Sequence, residues 1–174
     1  MVLWILNTGA QWHMLPQGYA NYKTVHRRFQ QWCREETLRK VLTDLANTLR
    51  EEGETDESEC FIDATFASAK GGGEHYMIEA KPENLIGDRA YDSDQLDEQL
   101  RCEGVQMIAP HTSRRKRKTQ DGRRLRRYER RWIMERFFTW MQWRRRLVVR
   151  WEYYPMNFLG FVQLAAICIL LRHF

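Results

Sequence analysis

The chain has 174 residues, enough for one domain with a substantial core or for a domain with a small appendage. Hydrophobic residues at 43% and charged residues at 29% exclude a disordered chain, and seven Trp, seven Tyr and eight Phe supply material for a core. The net charge of +5 hides an asymmetry: residues 1–104 hold 11 Lys and Arg against 19 Asp and Glu, whereas residues 105–174 hold 17 against 4, the pattern of a protein that offers one basic face to a polyanion.

Residues 1–50 read as helices, broken at Gly9 and at Pro16-Gln17-Gly18. From Thr24 onward, Val25, Phe29 and Trp32 sit at helical spacing, followed by Leu38, Val41, Leu42, Leu45 and Leu49. Residues 51–59 hold six acids and Gly53 and read as a solvated connector. The run Cys60-Phe61-Ile62-Asp63-Ala64-Thr65 predicts a buried strand, and Lys70-Gly71-Gly72-Gly73 a turn. Leu85-Ile86-Gly87-Asp88 predicts a second strand, residues 93–102 a short helix capped by Ser93, and residues 105–109 a third strand ended by Pro110. Strand, helix and strand in this order make a right-handed unit with parallel strands.

Residues 113–131 then carry 11 Lys and Arg, including Arg114, Arg115, Lys116, Arg117 and Lys118. A long helix is predicted from about Arg123 to Arg150, broken by Pro155 and followed by the apolar run 158–171. That run contains Gln163 and is too short to span a bilayer, so it predicts a core helix. Cys33, Cys60, Cys102 and Cys168 form no CxxC pair, which points to free thiols in a reducing compartment rather than to disulfides or zinc. No signal-peptide pattern opens the sequence. His13, His26, His75, His111 and His173 show no ligand spacing and receive no role.

Three carboxylates stand out. Asp63 lies inside one apolar strand, Asp88 ends another, and Glu135 interrupts the aromatic stretch 132–143. A buried carboxylate without a partner costs several kcal/mol, so such residues usually sit beside a cation. Carboxylates converging on one point make a hard oxygen site suited to Mg²⁺, and paired ions there suit phosphodiester chemistry. Any one of these acids alone is more often a solvated or ion-paired group. Tyr128, Arg131 and Glu135 are spaced three and four apart and share one helical stripe, which Gln142 extends. The spacing fits equally an acid aimed at metal among phosphate-holding arginines or a solvated basic face.

These same residues carry a resemblance to a family. The segments Thr8-Gly9-Ala10-Gln11-Trp12-His13-Met14-Leu15-Pro16, Phe61-Ile62-Asp63-Ala64-Thr65 and Leu85-Ile86-Gly87-Asp88-Arg89-Ala90-Tyr91-Asp92-Ser93 resemble those of the bacterial DDE transposases of the insertion sequence four and five groups. Tyr128, Arg131 and Glu135 fit that family's Y-x2-R-x3-E signature, and the residues from Arg144 to the apolar tail fit too. The resemblance implies an α/β fold with a ribonuclease-H-like core, here reduced to about three parallel strands, a helical amino-terminal portion and long carboxy-terminal helices. It implies residues 1–50 as part of a module binding DNA ends, 51–59 as a connector and 60–174 as the catalytic domain. Asp63, Asp88 and Glu135 would hold two Mg²⁺ ions, with Mn²⁺ as substitute. Arg114, Arg115, Lys116, Arg117, Lys118, Tyr128, Arg131, Arg144 and Arg145 would contact double-stranded DNA. A homodimer, with no membrane, in the bacterial cytoplasm at the nucleoid, completes the expectation.

The sequence departs from the family in three places. The two aspartates are only 25 positions apart, and two antiparallel strands and a helix are missing around Gly73 to Met77. Gln142 stands where the signature has Lys, and the chain starts inside the family's amino-terminal region. With the strands missing, the first strand becomes an edge, which favours pairing with another chain. Two functions stay open: metal-dependent DNA cleavage and strand transfer, or DNA binding by a non-catalytic remnant.

Overall fold

The computed structural model describes residues 1–52, 59–61, 82–113 and 125–172. They fall into two compact units, one made of residues 1–52 with 138–172, the other of 59–61, 82–113 and 125–137. The predicted turn at Lys70-Gly71-Gly72-Gly73 lies outside the described residues.

The first unit is helical. α1 (Val2–Thr8) stops where Gly9 adopts φ +70°, a left-handed conformation that glycine reaches without a Cβ penalty. α2 (Tyr22–Arg34) starts on Asn21, whose side chain accepts a hydrogen bond from the Lys23 amide. α3 (Thr37–Glu51) follows through Glu36 at φ +53°. At the other end of the chain lie α7 (Arg145–Val148) and α8 (Pro155–Leu170), the latter with Pro in its first turn. α8 packs against α2 and α3, and α7 against α1, so the two chain ends share one core. Its centre is aromatic. The Phe29 and Phe161 ring centroids are 4.3 Å apart, and Trp12 leans on both at 5.6 and 5.8 Å.

Apolar residues cover α8 nearly all round, as expected of a buried helix, and its polar Asn157 and Gln163 are buried as well. Among the described residues, no helix is long and apolar enough to cross a membrane. The four cysteines form no disulfide, and burial pushes the Cys33 thiol pKa up to about 11, with Glu152 adding to the rise. α8 approaches α2 so closely at Gly160 that an added Cβ would lie 2.3 Å from Cys33 Sγ and 3.2 Å from Phe29 Cζ. We expect Gly160→Ala to destabilise the protein by about 1–3 kcal/mol, read as a lower denaturant midpoint at constant slope. An unchanged midpoint would show that the α2–α8 contact can open without cost.

The second unit contains β1 (Glu59–Phe61), β2 (Asn84–Ile86), α4 (Asp94–Cys102) and β3 (Gln106–Ile108). The three strands are parallel in the order β1-β2-β3, so β1 is an outer strand of the described sheet. Gly87 N–H bonds to Ile108 O at 3.0 Å and carries the ladder one residue beyond β2. Ile86 and Ile108 pair across it and are buried. α4 begins on Ser93, whose hydroxyl accepts from the Leu96 amide, and packs on β3.

The long basic helix is interrupted. α5 (Leu125–Tyr128) passes through a 3₁₀ turn at Glu129–Arg131 into α6 (Trp132–Gln142), and Arg144 is extended before α7. A 3₁₀ segment turns about 120° per residue instead of about 100°, so its three residues rotate Glu135 by roughly 60° relative to Tyr128 compared with an unbroken helix. The stripe read from an ideal helix is therefore skewed. Beyond Gln142 the chain leaves the helix, and Arg146 meets Glu152, six residues on, through its Nε at 3.0 Å and the distant Ala10 O at 2.8 Å.

Candidate active site

Asp88 stands just beyond β2, at the carboxyl end of its strand, where ligands of parallel sheets characteristically bind. Its backbone is extended, and its side chain caps a single 3₁₀ turn, Arg89–Tyr91, by accepting from Ala90 N–H at 2.8 Å through Oδ1. Short acids favour such local caps, which is why a strand can end on Asp and turn at once. The carboxylate is half-buried, and among the described residues Oδ2 has no protein partner.

Four residues later, Asp92 is more deeply buried, its side chain 2% exposed. Oδ1 lies 2.9 Å from His111 Nδ1, and Oδ2 accepts from the Thr112 amide at 2.7 Å. These bonds join the turn after β2 to the segment leaving β3. In the sequence His111 shows no ligand spacing, and Asp92 enters only as part of the motif around Asp88. No spacing signal relates two residues 19 positions apart; the only clue was an acid soon after a strand end.

Tyr128 is half-buried on α5, which packs against β3. Glu135 is exposed in the first turn of α6, and the neighbouring Arg136 guanidinium stands 6.0 Å above the Trp132 ring. Asp88, Tyr128 and Glu135 thus belong to one compact unit, as does the backbone of Arg131. Asp63 and the run Arg114, Arg115, Lys116, Arg117 and Lys118 lie outside the described residues. Among the described residues, no three His, Cys, Asp or Glu side chains cluster as a metal site.

Arg144 and Arg145 belong to the other unit. The Arg144 guanidinium donates to Asn7 Oδ1, while Arg145 is exposed. Arg144 also lines a hollow of about 210 Å³ with Asn7, Trp140, Trp143, Ile169 and Arg172. Nearby, His26 stacks on Trp12 at 4.6 Å, and burial lowers its pKa, with Glu152 opposing and Arg146 assisting.

Residues 39–171 match the family model described as a transposase DDE domain. The chain belongs to the DDE transposases. The amino-terminal residues 1–42 of this transposase match a second model, described as a transposase of the IS4/5 family. No curated protein and no solved structure matches the chain. The family's function is DNA transposition, and Asp63, Asp88, Glu135 and the basic residues 114–131 of the transposase fall within the matched span.

Proposed function

We propose that this transposase retains a divalent-metal site for DNA strand cleavage and transfer on a reduced ribonuclease-H-like core. The supporting observation is the strand register. Glu59 pairs with Asn84, Cys60 with Leu85 and Phe61 with Ile86, an offset of 25 residues. Asp63 and Asp88 are separated by that same interval. Like charges brought to one point call for a cation between them.

The donor set fits such a group. Asp88 is held by one oxygen and keeps a second for a ligand, and carboxylate oxygens suit Mg²⁺, with Mn²⁺ as substitute. Asp63, Asp88 and Glu135 would hold two ions, which when bound would supply activation of a water or 3′-hydroxyl and neutralisation of the leaving oxygen. The protein's own residues do the rest. The Ala90 amide fixes the Asp88 carboxylate before metal or DNA arrives. Tyr128, Arg131, Arg144, Arg145 and the run Arg114, Arg115, Lys116, Arg117, Lys118 would hold phosphates of duplex DNA, Arg by bidentate pairing. Residues 1–50 would serve in binding DNA ends, 51–59 as a connector and 60–174 as the catalytic domain. Work on two DNA ends and the outer position of β1 favour a homodimer.

The test is Mn²⁺ binding by calorimetry. Micromolar binding is expected for the transposase and none for Asp88→Ala; binding by neither would mean that the site is dismantled. A second reading, DNA binding without cleavage, draws on the net +13 of residues 105–174 and does not require the acids to converge. Under both readings, DNA affinity falls with salt. Replacing Arg115, Lys116 and Arg117 by Ala should flatten the log–log slope by up to about 2.7, at about 0.9 per phosphate contact. An unchanged slope would make the run a solvated face that DNA does not touch.

A further inference from the structure

We infer that Asp92 is a positioning residue that clamps the turn bearing Asp88 to the exit of β3, through His111 and Thr112. The inference rests on the reading of Asp88 as a metal ligand. Burying a carboxylate is costly, and an apolar side chain would fill such a place more cheaply unless the acid's two directed acceptors are needed. Here both are used. One oxygen meets the imidazole at 2.9 Å and the other a backbone amide at 2.7 Å, both on the segment just past β3. The His111 side chain is itself only 10% exposed.

The link from Asp92 back to Asp88 is short and stiff. Tyr91 N–H bonds to Asp88 O at 3.1 Å, Ala90 N–H to the Asp88 side chain at 2.8 Å, and Ser93 N–H to Tyr91 O at 2.9 Å. Upstream, Gly87 N–H is fixed to Ile108 O at 3.0 Å. Asp88 therefore hangs on a one-turn span tied to the β3 chain at both ends, by the sheet at Gly87 and by the Asp92 clamp. The clamp also sets where the basic run departs, because Thr112 directly precedes residues 113–131. Groups that orient a metal ligand from behind commonly change metal affinity by 10–100-fold when removed.

The experiment uses the full chain and three variants, with two readouts: the Mn²⁺ dissociation constant and amide hydrogen exchange at Ala90 and Gly87. Asp92→Leu removes both acceptors at once, so neither the Thr112 amide nor the imidazole keeps its partner. It is expected to weaken Mn²⁺ binding about tenfold or more and to speed exchange at Ala90 while leaving Gly87 protected. His111→Leu should do the same. His111→Asn, which keeps a donor near the Nδ1 position, should restore both readouts. Unchanged Ala90 exchange in Asp92→Leu would overturn the inference. So would equal loss at Ala90 and Gly87, which would mark Asp92 as part of general sheet stability. If the unaltered chain binds no Mn²⁺, the metal reading fails, and Ala90 exchange still decides whether the clamp holds the turn.

Discussion

A Glu135→Ala transposase is expected to bind duplex DNA with its salt dependence intact and to nick it on the order of a thousandfold more slowly in Mn²⁺. The carboxylate is exposed in the first turn of α6, within the same compact unit as Asp88. Removing one oxygen donor from a metal site that stabilises developing charge forfeits several kcal/mol, and each 1.36 kcal/mol is about tenfold in rate. DNA affinity should survive because the cations of residues 113–131 are untouched. Nicking of supercoiled plasmid gives the rate, and fluorescence anisotropy at several salt concentrations gives the affinity. A variant that still nicks at the original rate would remove Glu135 from the site.

Glu152→Ala is expected to lower stability by about 3–5 kcal/mol, a large part of the roughly 5–15 kcal/mol typical of a folded domain. Arg146 is 3% exposed, and its guanidinium donates to Glu152 Oε1 through Nε at 3.0 Å and through Nη2. Its Nη1 reaches Ala10 O at 2.8 Å and Gly9 O at 3.4 Å, and its Cζ stands 5.5 Å above the Phe161 ring. Without Glu152 the buried charge keeps only carbonyl dipoles and a ring face. For a chain of this length the melting temperature should fall by roughly 10 °C or more. The double variant Arg146→Met with Glu152→Leu removes both charges and should recover most of the loss. A Glu152→Ala midpoint within 1 kcal/mol of the original would mean that water reaches Arg146 and that the pair contributes little.

Much of the architecture could be read from residue patterns. The apolar run 158–171 predicts α8, and the short apolar runs 60–65, 85–88 and 105–109 predict β1, β2 and β3 in parallel order with α4 between the last two. The Ser93 cap is as predicted because capping is local: the hydroxyl and the amide it accepts from lie three residues apart. The motif around Asp88 and the signature of Tyr128, Arg131 and Glu135 point to the family that the matched span of residues 39–171 shows.

Three consecutive arginines show where that reading ends. Arg144, Arg145 and Arg146 look alike in sequence, yet one meets Asn7, one is exposed and one is buried on Glu152. The family resemblance implies DNA contacts for Arg144 and Arg145 and no role for Arg146. The interruption of the basic helix at Glu129–Arg131, the joining of α8 to the amino-terminal helices and the Asp92–His111 clamp are likewise tertiary outcomes. Periodicity and capping report what a residue does to neighbours within a few positions. Which distant group a charge or imidazole meets depends on how the elements close on one another, because a buried polar group is stable only where that closure brings it a partner.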